Sequence, residues 1–211
     1  MAEQTTVPTD QATPDAPGGR SVPYALPILL IVGGLFGLLA SFNLTLDDIA
    51  LLKNPNAALS CSVNSIVQCG KNIDSWQGSV FGFPNPLLGL MMFPAPVAVG
   101  VAMLARARFA AWFRWAFLAG LTFAIGFVFW LAFQSIFDIG TLCPWCSLVY
   151  VAVIPMWVYT TLDTFRDGLA GRALQRVGAA LMPWAVLITV AGYLLIFGAA
   201  QLRLNVLGTL F

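Results

Sequence analysis

Five apolar runs constrain this chain more than any other feature of its sequence; they cover residues 26–42, 86–105, 115–133, 143–162 and 181–200. A helix needs about 20 mostly apolar residues to cross the hydrocarbon core of a bilayer. Charged residues make up only 9% of the chain, whereas soluble domains carry about 25%. The sequence therefore predicts an all-α membrane protein whose helices correspond to these runs.

The segments between the runs indicate how the chain is divided. Residues 1–23 are rich in Pro, Thr, Asp, Gln and Ala, a composition that predicts a disordered tail. The tail lacks the positively charged start of a secretory signal peptide, so we expect the first run to remain as a membrane anchor. We expect a four-helix unit over 24–165 with a long loop at 43–85, a linker at 166–180, and a fifth helix with a terminal tail at 181–211.

Most basic residues fall on one side of the predicted membrane. That side carries Arg20, Arg106, Arg108, Arg114, Arg166, Arg172 and Arg176. The other side carries Lys53, Lys71 and Arg203. Because cytoplasmic loops are enriched in Lys and Arg, we predict that the N-terminal tail and the linker are cytoplasmic. The long loop, the start of the fourth helix and the terminal tail then face outside, where disulfides form and persist.

The composition also excludes several kinds of site. The chain has no histidine, which excludes Cys/His zinc sites, Ser-His-Asp triads and haem held by histidine. Its formal net charge is only +1, so we expect no nucleic-acid partner. The cysteines, at 61, 69, 143 and 146, remain as candidates for redox chemistry.

Cys143 and Cys146 form a Cys-x-x-Cys pair at the start of the fourth run. Pro144 suits the first position of a helix, which places Cys143 at the positive helix end, where a thiolate is stabilised. Cys143, Cys146 and Tyr150 share one face of that helix. Two packed core thiols are the alternative. We favour a redox pair, because Cys-x-x-Cys at a helix start forms a reducible disulfide in thioredoxin-type motifs.

Cys61 and Cys69 lie in the long loop, on the same predicted side as the first pair. A structural disulfide that closes the loop is one interpretation. A relay is a second, in which a flexible dithiol reacts with a soluble protein and then with the membrane pair. A four-thiolate zinc site is a third, although the spacing differs from the short Cys-x₂₋₄-Cys arms of structural zinc sites. We favour the relay and expect no metal.

A relay of two disulfides needs a final electron acceptor, and a lipid quinone is the obvious one inside a membrane. Its two carbonyl oxygens need hydrogen-bond donors to stabilise developing charge. Tyr150, one turn beyond Cys146, and Asn85, just before the second run, are the candidate quinone-binding residues. The alternatives are a packing role for Tyr150 and a helix-capping role for Asn85, with Pro86 in the first turn.

The spacing of these residues resembles the vitamin K epoxide reductase family, in its bacterial branch. The matching motifs are Cys61-x₇-Cys69, Ser79-Val-Phe-Gly82, Asn85-x₃-Gly89 and Cys143-x₂-Cys146-x₃-Tyr150. The similarity covers roughly residues 26–165, and the fifth helix resembles the extra helix of bacterial members. The combination of spacings is specific, whereas no single motif is.

The resemblance implies a bundle of four transmembrane helices around a quinone, with the first loop as an extracytoplasmic lid. It implies that Cys61 and Cys69 take electrons from a reduced thioredoxin-like protein. Cys69 then exchanges with Cys143, and Cys146 reduces menaquinone or ubiquinone.

The resemblance further implies that Asn85 and Tyr150 hydrogen-bond the quinone oxygens. It places the protein in a bacterial inner membrane. Some bacterial members carry a fused thioredoxin-like domain after the fifth helix, whereas this chain stops at Phe211. We therefore expect a separate extracytoplasmic thiol oxidase as the partner.

Two rival classes share part of this pattern. The other bacterial quinone-linked disulfide oxidase also has two cysteine pairs, but its Cys-x-x-Cys pair is near the first loop and its wider pair in the second, the reverse of the order here. A transporter or structural membrane protein with loop-closing disulfides is the second rival. Intramembrane charges would favour a transporter, and the predicted runs contain none. We therefore expect a membrane thiol:quinone oxidoreductase that supports disulfide formation outside the cytoplasm.

Overall fold

A computed structural model describes residues 24–168 and 171–210, so the predicted tail at 1–23 lies outside the described residues. The helices are α1 (Ala25–Lys53), α2 (Gly70–Asp74), α3 (Asn85–Met92), α4 (Pro94–Leu104), α5 (Ala111–Phe133), α6 (Pro144–Arg166), α7 (Arg172–Leu181), α8 (Ala185–Leu204) and α9 (Val206–Leu210). A π-helical segment, Gln134–Ile139, continues α5, and short 3₁₀ turns occupy Trp76–Ser79 and Met182–Trp184. The described ranges contain no strand; a single β-bridge pairs Val67 with Leu142.

Five helical stretches of the described chain are long and apolar enough to cross a membrane: Ala25–Lys53, Asn85–Leu104, Ala111–Ile139, Pro144–Arg166 and Arg172–Leu204. They confirm the predicted all-α fold and its five membrane helices. The last stretch begins inside the predicted linker, where α7 forms an amphipathic helix ahead of α8.

The helix α6 lies at the centre of the bundle. It packs against α1, α5, α7 and α8, while α1 also packs against α3 and α4. Val153 and Met156 of α6 and Leu30 of α1 are almost fully buried. In contrast, α8 exposes Leu194 and Leu195, as expected for a helix whose outer face meets lipid. A four-helix bundle with a fifth helix packed outside it follows from these contacts.

Glycines allow α1 to approach the second membrane span closely. A Cβ added at Gly37 would lie 2.3 Å from the ring of Phe93, and one added at Gly100 would lie 2.7 Å from the carbonyl oxygen of Pro27. Small residues at such interfaces let helix backbones come into contact. The span itself divides into α3 and α4 at Phe93, because Pro94 has no N–H to continue the hydrogen-bond ladder.

The first helix continues to Lys53, well past the predicted end at residue 42. The polar composition of 43–53 suggested a loop, but the helix absorbs its polar groups. Asn43 and Thr45 donate to backbone carbonyls one turn earlier, both at 2.8 Å. Asp47 faces inward and accepts hydrogen bonds from Ser60. The segment between α1 and α3, here called the lid, therefore covers residues 54–84 rather than 43–85.

Candidate redox site

The Cys-x-x-Cys pair lies at the N-terminus of α6 in the arrangement that Pro144 predicts. Cys143 is the N-cap residue, and α6 begins at Pro144. The backbone N–H of Cys146 donates to the Sγ atom of Cys143 at 3.3 Å. Ser147 donates its hydroxyl to the Cys143 carbonyl at 3.0 Å. The Cys143 side chain thus caps the helix, because it accepts one of the backbone N–H groups that have no partner within the first turn.

The lid pair and the helix pair meet in one buried cluster. Cys61 and Cys69 form a disulfide, and both are buried. Cys143 and Cys146 are free thiols. The Sγ atoms of Cys143 and Cys69 lie 3.1 Å apart. Cys69 is therefore the lid cysteine in contact with the helix pair. At this distance a thiolate at Cys143 can attack the disulfide.

A short backbone pairing sets this contact. Gln68 donates its N–H to the carbonyl of Leu142 at 3.1 Å, and Leu142 donates its N–H to the carbonyl of Ile66 at 2.9 Å. Because Cys69 follows Gln68 and Cys143 follows Leu142, the pairing places the two cysteines side by side. The sequence reasoning missed this feature, since the pairing is too short to give a periodic pattern.

Polar side chains attach the lid to the end of α5. Asn72 donates to the Thr141 hydroxyl and accepts from the Ser135 hydroxyl, both at 3.0 Å. Thr141 is fully buried. Buried Gln77 donates to the Asp138 carboxylate. The sequence reasoning also missed these residues, because single polar residues in a long loop carry no signal of their long-range partners.

A cavity of about 550 Å³ lies beneath the lid. Its wall is mostly apolar and includes Phe93, Leu121, Phe127, Leu131 and Val153. Cys143, Cys146, Asn85 and Tyr150 also line it. Sites for small organic ligands commonly have this volume, with apolar walls and a few polar groups.

Asn85 begins α3 but does not cap it, which overturns the alternative role considered from the sequence. Its Nδ2 atom donates to the carbonyl of Gln77 at 2.6 Å. Its Oδ1 atom is buried without a hydrogen-bond partner. Buried polar atoms are nearly always paired, so this oxygen can accept a hydrogen bond from a water or a ligand in the cavity. A hydroquinone hydroxyl is such a donor, and the second Nδ2 hydrogen is available to a quinone carbonyl.

Tyr150 is 3% exposed and lines the same cavity as Cys146. The predicted site residues therefore divide into two connected groups. The lid disulfide contacts Cys143, whereas Cys146, Asn85 and Tyr150 surround the cavity. Cys143, which contacts the lid disulfide and also lines the cavity, connects the two groups.

Comparison with curated proteins gives no significant match. A sequence profile of the Vitamin K epoxide reductase family matches residues 28–161. The matched region contains both cysteine pairs, Asn85 and Tyr150, and it covers more than half of the 211 residues. The chain therefore belongs to the vitamin K epoxide reductase family, whose members are membrane thiol oxidoreductases that use a quinone as electron acceptor.

Proposed function

We propose that this protein oxidises the thiols of a thioredoxin-like protein outside the cytoplasm and passes the electrons to a lipid quinone, either menaquinone or ubiquinone. The 3.1 Å contact between the Cys69 and Cys143 sulfurs carries the proposal. A disulfide that only closes a loop does not require a second thiol in contact with one of its sulfurs. The contact instead supports thiol–disulfide exchange between the two pairs.

The exchange follows from the positions of the sulfurs. A partner thiolate reduces the Cys61–Cys69 disulfide. The Cys69 thiolate then attacks Cys143 of an oxidised Cys143–Cys146 pair, forming a Cys69–Cys143 bond and releasing Cys146. Cys61 attacks Cys69, restores the lid disulfide and releases Cys143. The structure, with a lid disulfide and two free thiols at the start of α6, corresponds to the end of this series of steps.

The residues around the cavity fit the last transfer. A quinone supplies an acceptor for two electrons and two protons. Cys146 lies on the cavity wall, where its thiol can reach the ring. Asn85 and Tyr150 provide polar groups for the two ring oxygens in a cavity whose wall is mostly apolar. Hydrogen bonds in such an apolar site act strongly on developing charge.

We place the protein in a bacterial inner membrane with the N-terminus in the cytoplasm and the lid outside. The distribution of Arg and Lys supports this orientation. The oxidising compartment outside the cytoplasm also suits a protein that delivers disulfides.

Trapping the intermediate tests the proposed order. Cys146→Ser removes the thiol that would attack Cys143 and release Cys69, and Cys61→Ser removes the thiol that would attack Cys69 and release Cys143. Both variants should accumulate a Cys69–Cys143 disulfide, which mass spectrometry of unreduced peptides reads directly. A dominant Cys61–Cys143 bond would show that the lid cysteines act in the reverse order. Finding only Cys61–Cys69, with no cross-link in any variant, would support a structural disulfide.

A turnover assay tests the reaction itself. The purified protein is mixed with a reduced thioredoxin-like protein and a short-chain ubiquinone, and quinone absorbance is followed over time. The proposal expects quinone loss that depends on both components. The alternative of a transporter or structural protein expects no quinone loss above the rate without enzyme.

A further inference from the structure

A buried carboxylate lies next to the lid disulfide, on the part of α1 that the sequence assigned to a loop. Asp47 is only 7% exposed. It accepts the Ser60 backbone N–H at 3.1 Å and the Ser60 hydroxyl at 2.8 Å. Its Oδ2 atom lies 3.4 Å from the Sγ atom of Cys61. The carboxylate is therefore held against a sulfur that the exchange uses.

The contact changes its nature with the redox state of Cys61. In the disulfide, Cys61 has no proton and the contact joins a sulfur to a carboxylate oxygen. When the disulfide opens, the Cys61 thiol gains a proton that it can donate to Oδ2 across the same distance. The carboxylate then stands where a proton acceptor is needed for Cys61 to become a nucleophile.

Ser60 and Trp145 hold the carboxylate in place. Ser60 donates its hydroxyl to Asp47 and accepts the indole N–H of Trp145 at 3.0 Å. Trp145 lies between Cys143 and Cys146 in the sequence. Ser60, which precedes Cys61, is thus bonded to the first turn of α6, where the other pair lies, so the orientation of the carboxylate depends on both halves of the site.

We propose that Asp47 is the general base of the relay and accepts the Cys61 proton as Cys61 attacks Cys69. The proposal rests on the proposed function. In this step the Cys61–Cys69 bond forms and the Cys69–Cys143 bond breaks. The electron pair of the broken bond stays on the Cys143 sulfur, and the proton moves from Cys61 to the Asp47 Oδ2 atom. When the partner later reduces the lid disulfide, Asp47 returns the proton to the Cys61 thiolate.

Other titratable groups lie on the elements around this site but do not replace Asp47. They are Asp48 and Lys53 on α1, Lys71 and Asp74 on α2, and Cys143 and Cys146 at the start of α6. Among the described residues, the carboxylate within hydrogen-bond distance of the Cys61 sulfur is that of Asp47. Lys53, an exposed charged residue on the same helix that does not line the cavity, provides a control for the loss of one charge.

The pH dependence of Cys61 attack distinguishes a base from a structural group. A free cysteine thiol ionises near pH 8.5, so only a few per cent is thiolate at pH 7. Without a base, the rate should rise about tenfold per pH unit until the thiol ionises by itself. A general base typically contributes about 10²–10⁴-fold, and that contribution should shrink as the pH approaches 9.

The test uses the full chain in detergent, fully reduced and then mixed with a short-chain ubiquinone, whose substituted ring leaves no position for thiol addition. Samples are alkylated at intervals between pH 6 and 9, and mass spectrometry follows the Cys69–Cys143 bond and its conversion to Cys61–Cys69. We expect Asp47→Asn to accumulate Cys69–Cys143 and to slow the conversion about 100-fold at pH 7. Its rate should approach the wild-type rate near pH 9, and Lys53→Gln should match the wild type throughout.

If Asp47→Asn slows the conversion by the same factor at every pH, the proposal is overturned and Asp47 has a structural role only. A conversion rate equal to the wild type would overturn it as well. If Asp47→Asn does not fold, Asp47→Glu is tested in its place. Its conversion rate should depend less steeply on pH than the rate of a free thiol does. A tenfold rise in that rate per pH unit would contradict a role of residue 47 as the base. The absence of a Cys69–Cys143 bond in every protein, Cys61→Ser included, would instead count against the proposed relay order.

Discussion

Gln68 donates its backbone N–H to the carbonyl oxygen of Leu142 at 3.1 Å, and each of these residues directly precedes a cysteine. The pairing fixes the register between the lid and the start of α6. It explains why Cys69, and not Cys61, lies against Cys143 at 3.1 Å. The lid therefore aligns two sulfurs as well as covering the cavity.

Removing this hydrogen bond should slow exchange between the pairs. Gln68→Pro deletes the N–H donor, and a displacement of about 1 Å can cost about 100-fold in rate. We expect a loss of that order in the formation of Cys69–Cys143, measured in the Cys146→Ser background by alkylation and mass spectrometry. Gln68→Ala retains the N–H and should react at the normal rate. Equal rates for the two variants would show that the pairing is dispensable.

Local features of this protein were predictable from the sequence, because their causes are local. The apolar runs gave the membrane helices, and Pro144 placed Cys143 at the N-cap of α6. The end of α1 was not predictable, since Asp47 is accommodated in the helix by Ser60, a partner thirteen residues away.

The arrangement of the site was only partly predictable. The spacing of Cys146 and Tyr150 on one helix face follows from helix geometry. The position of Asn85 does not, because its side chain is held by the carbonyl of Gln77 in the lid rather than by its own helix. The hydrogen bonds of Asn72 with Ser135 and Thr141 are likewise long-range, and no local sequence pattern predicts them.

Close packing of α1 against α4 gives a prediction for stability. An added Cβ at Gly100 would meet the backbone oxygen of Pro27 at 2.7 Å, and a backbone atom cannot rotate away. Gly100→Ala should therefore reduce the free energy of unfolding by about 1–3 kcal/mol, the usual cost of overpacking. Gly126→Ala on α5 is the control, because a Cβ there meets nothing within 4 Å. Thermal unfolding in detergent compares the two, and an equal Tm would contradict the packing argument.

The orientation can be tested at two positions. Arg114 on α5 bonds the carboxylates of Asp163 and Asp167 near the end of α6, so these helix ends lie on one side of the bundle. We expect that side to be cytoplasmic and Lys71 in the lid to be outside. In intact cells, an impermeant maleimide should label Lys71→Cys but not Arg108→Cys, and both should react after lysis. Labelling of both in intact cells would contradict the five-helix topology.

The cavity predicts a separation between the two half-reactions. Asn85 and Tyr150 line the cavity, whereas Cys61 and Cys69 are not among its lining residues. Asn85→Ala and Tyr150→Phe should therefore impair quinone reduction while leaving thiol exchange with the partner protein intact. Each removes a polar group from a mostly apolar site. One hydrogen bond to developing charge in such a site is worth about 3 kcal/mol, or about 100-fold in rate.

Stopped-flow measurement of the two half-reactions checks this separation. One experiment follows oxidation of the reduced protein by a short-chain ubiquinone, and the other follows reduction of the lid disulfide by a thioredoxin-like dithiol protein. Tyr193→Phe on α8 is the matched control, because its hydroxyl donates to the Val151 carbonyl outside the cavity. It should leave both rates unchanged. If Asn85→Ala or Tyr150→Phe lowers the rates of both half-reactions equally, that residue has a role in folding. A group that acts only on the quinone would not slow thiol exchange at the lid.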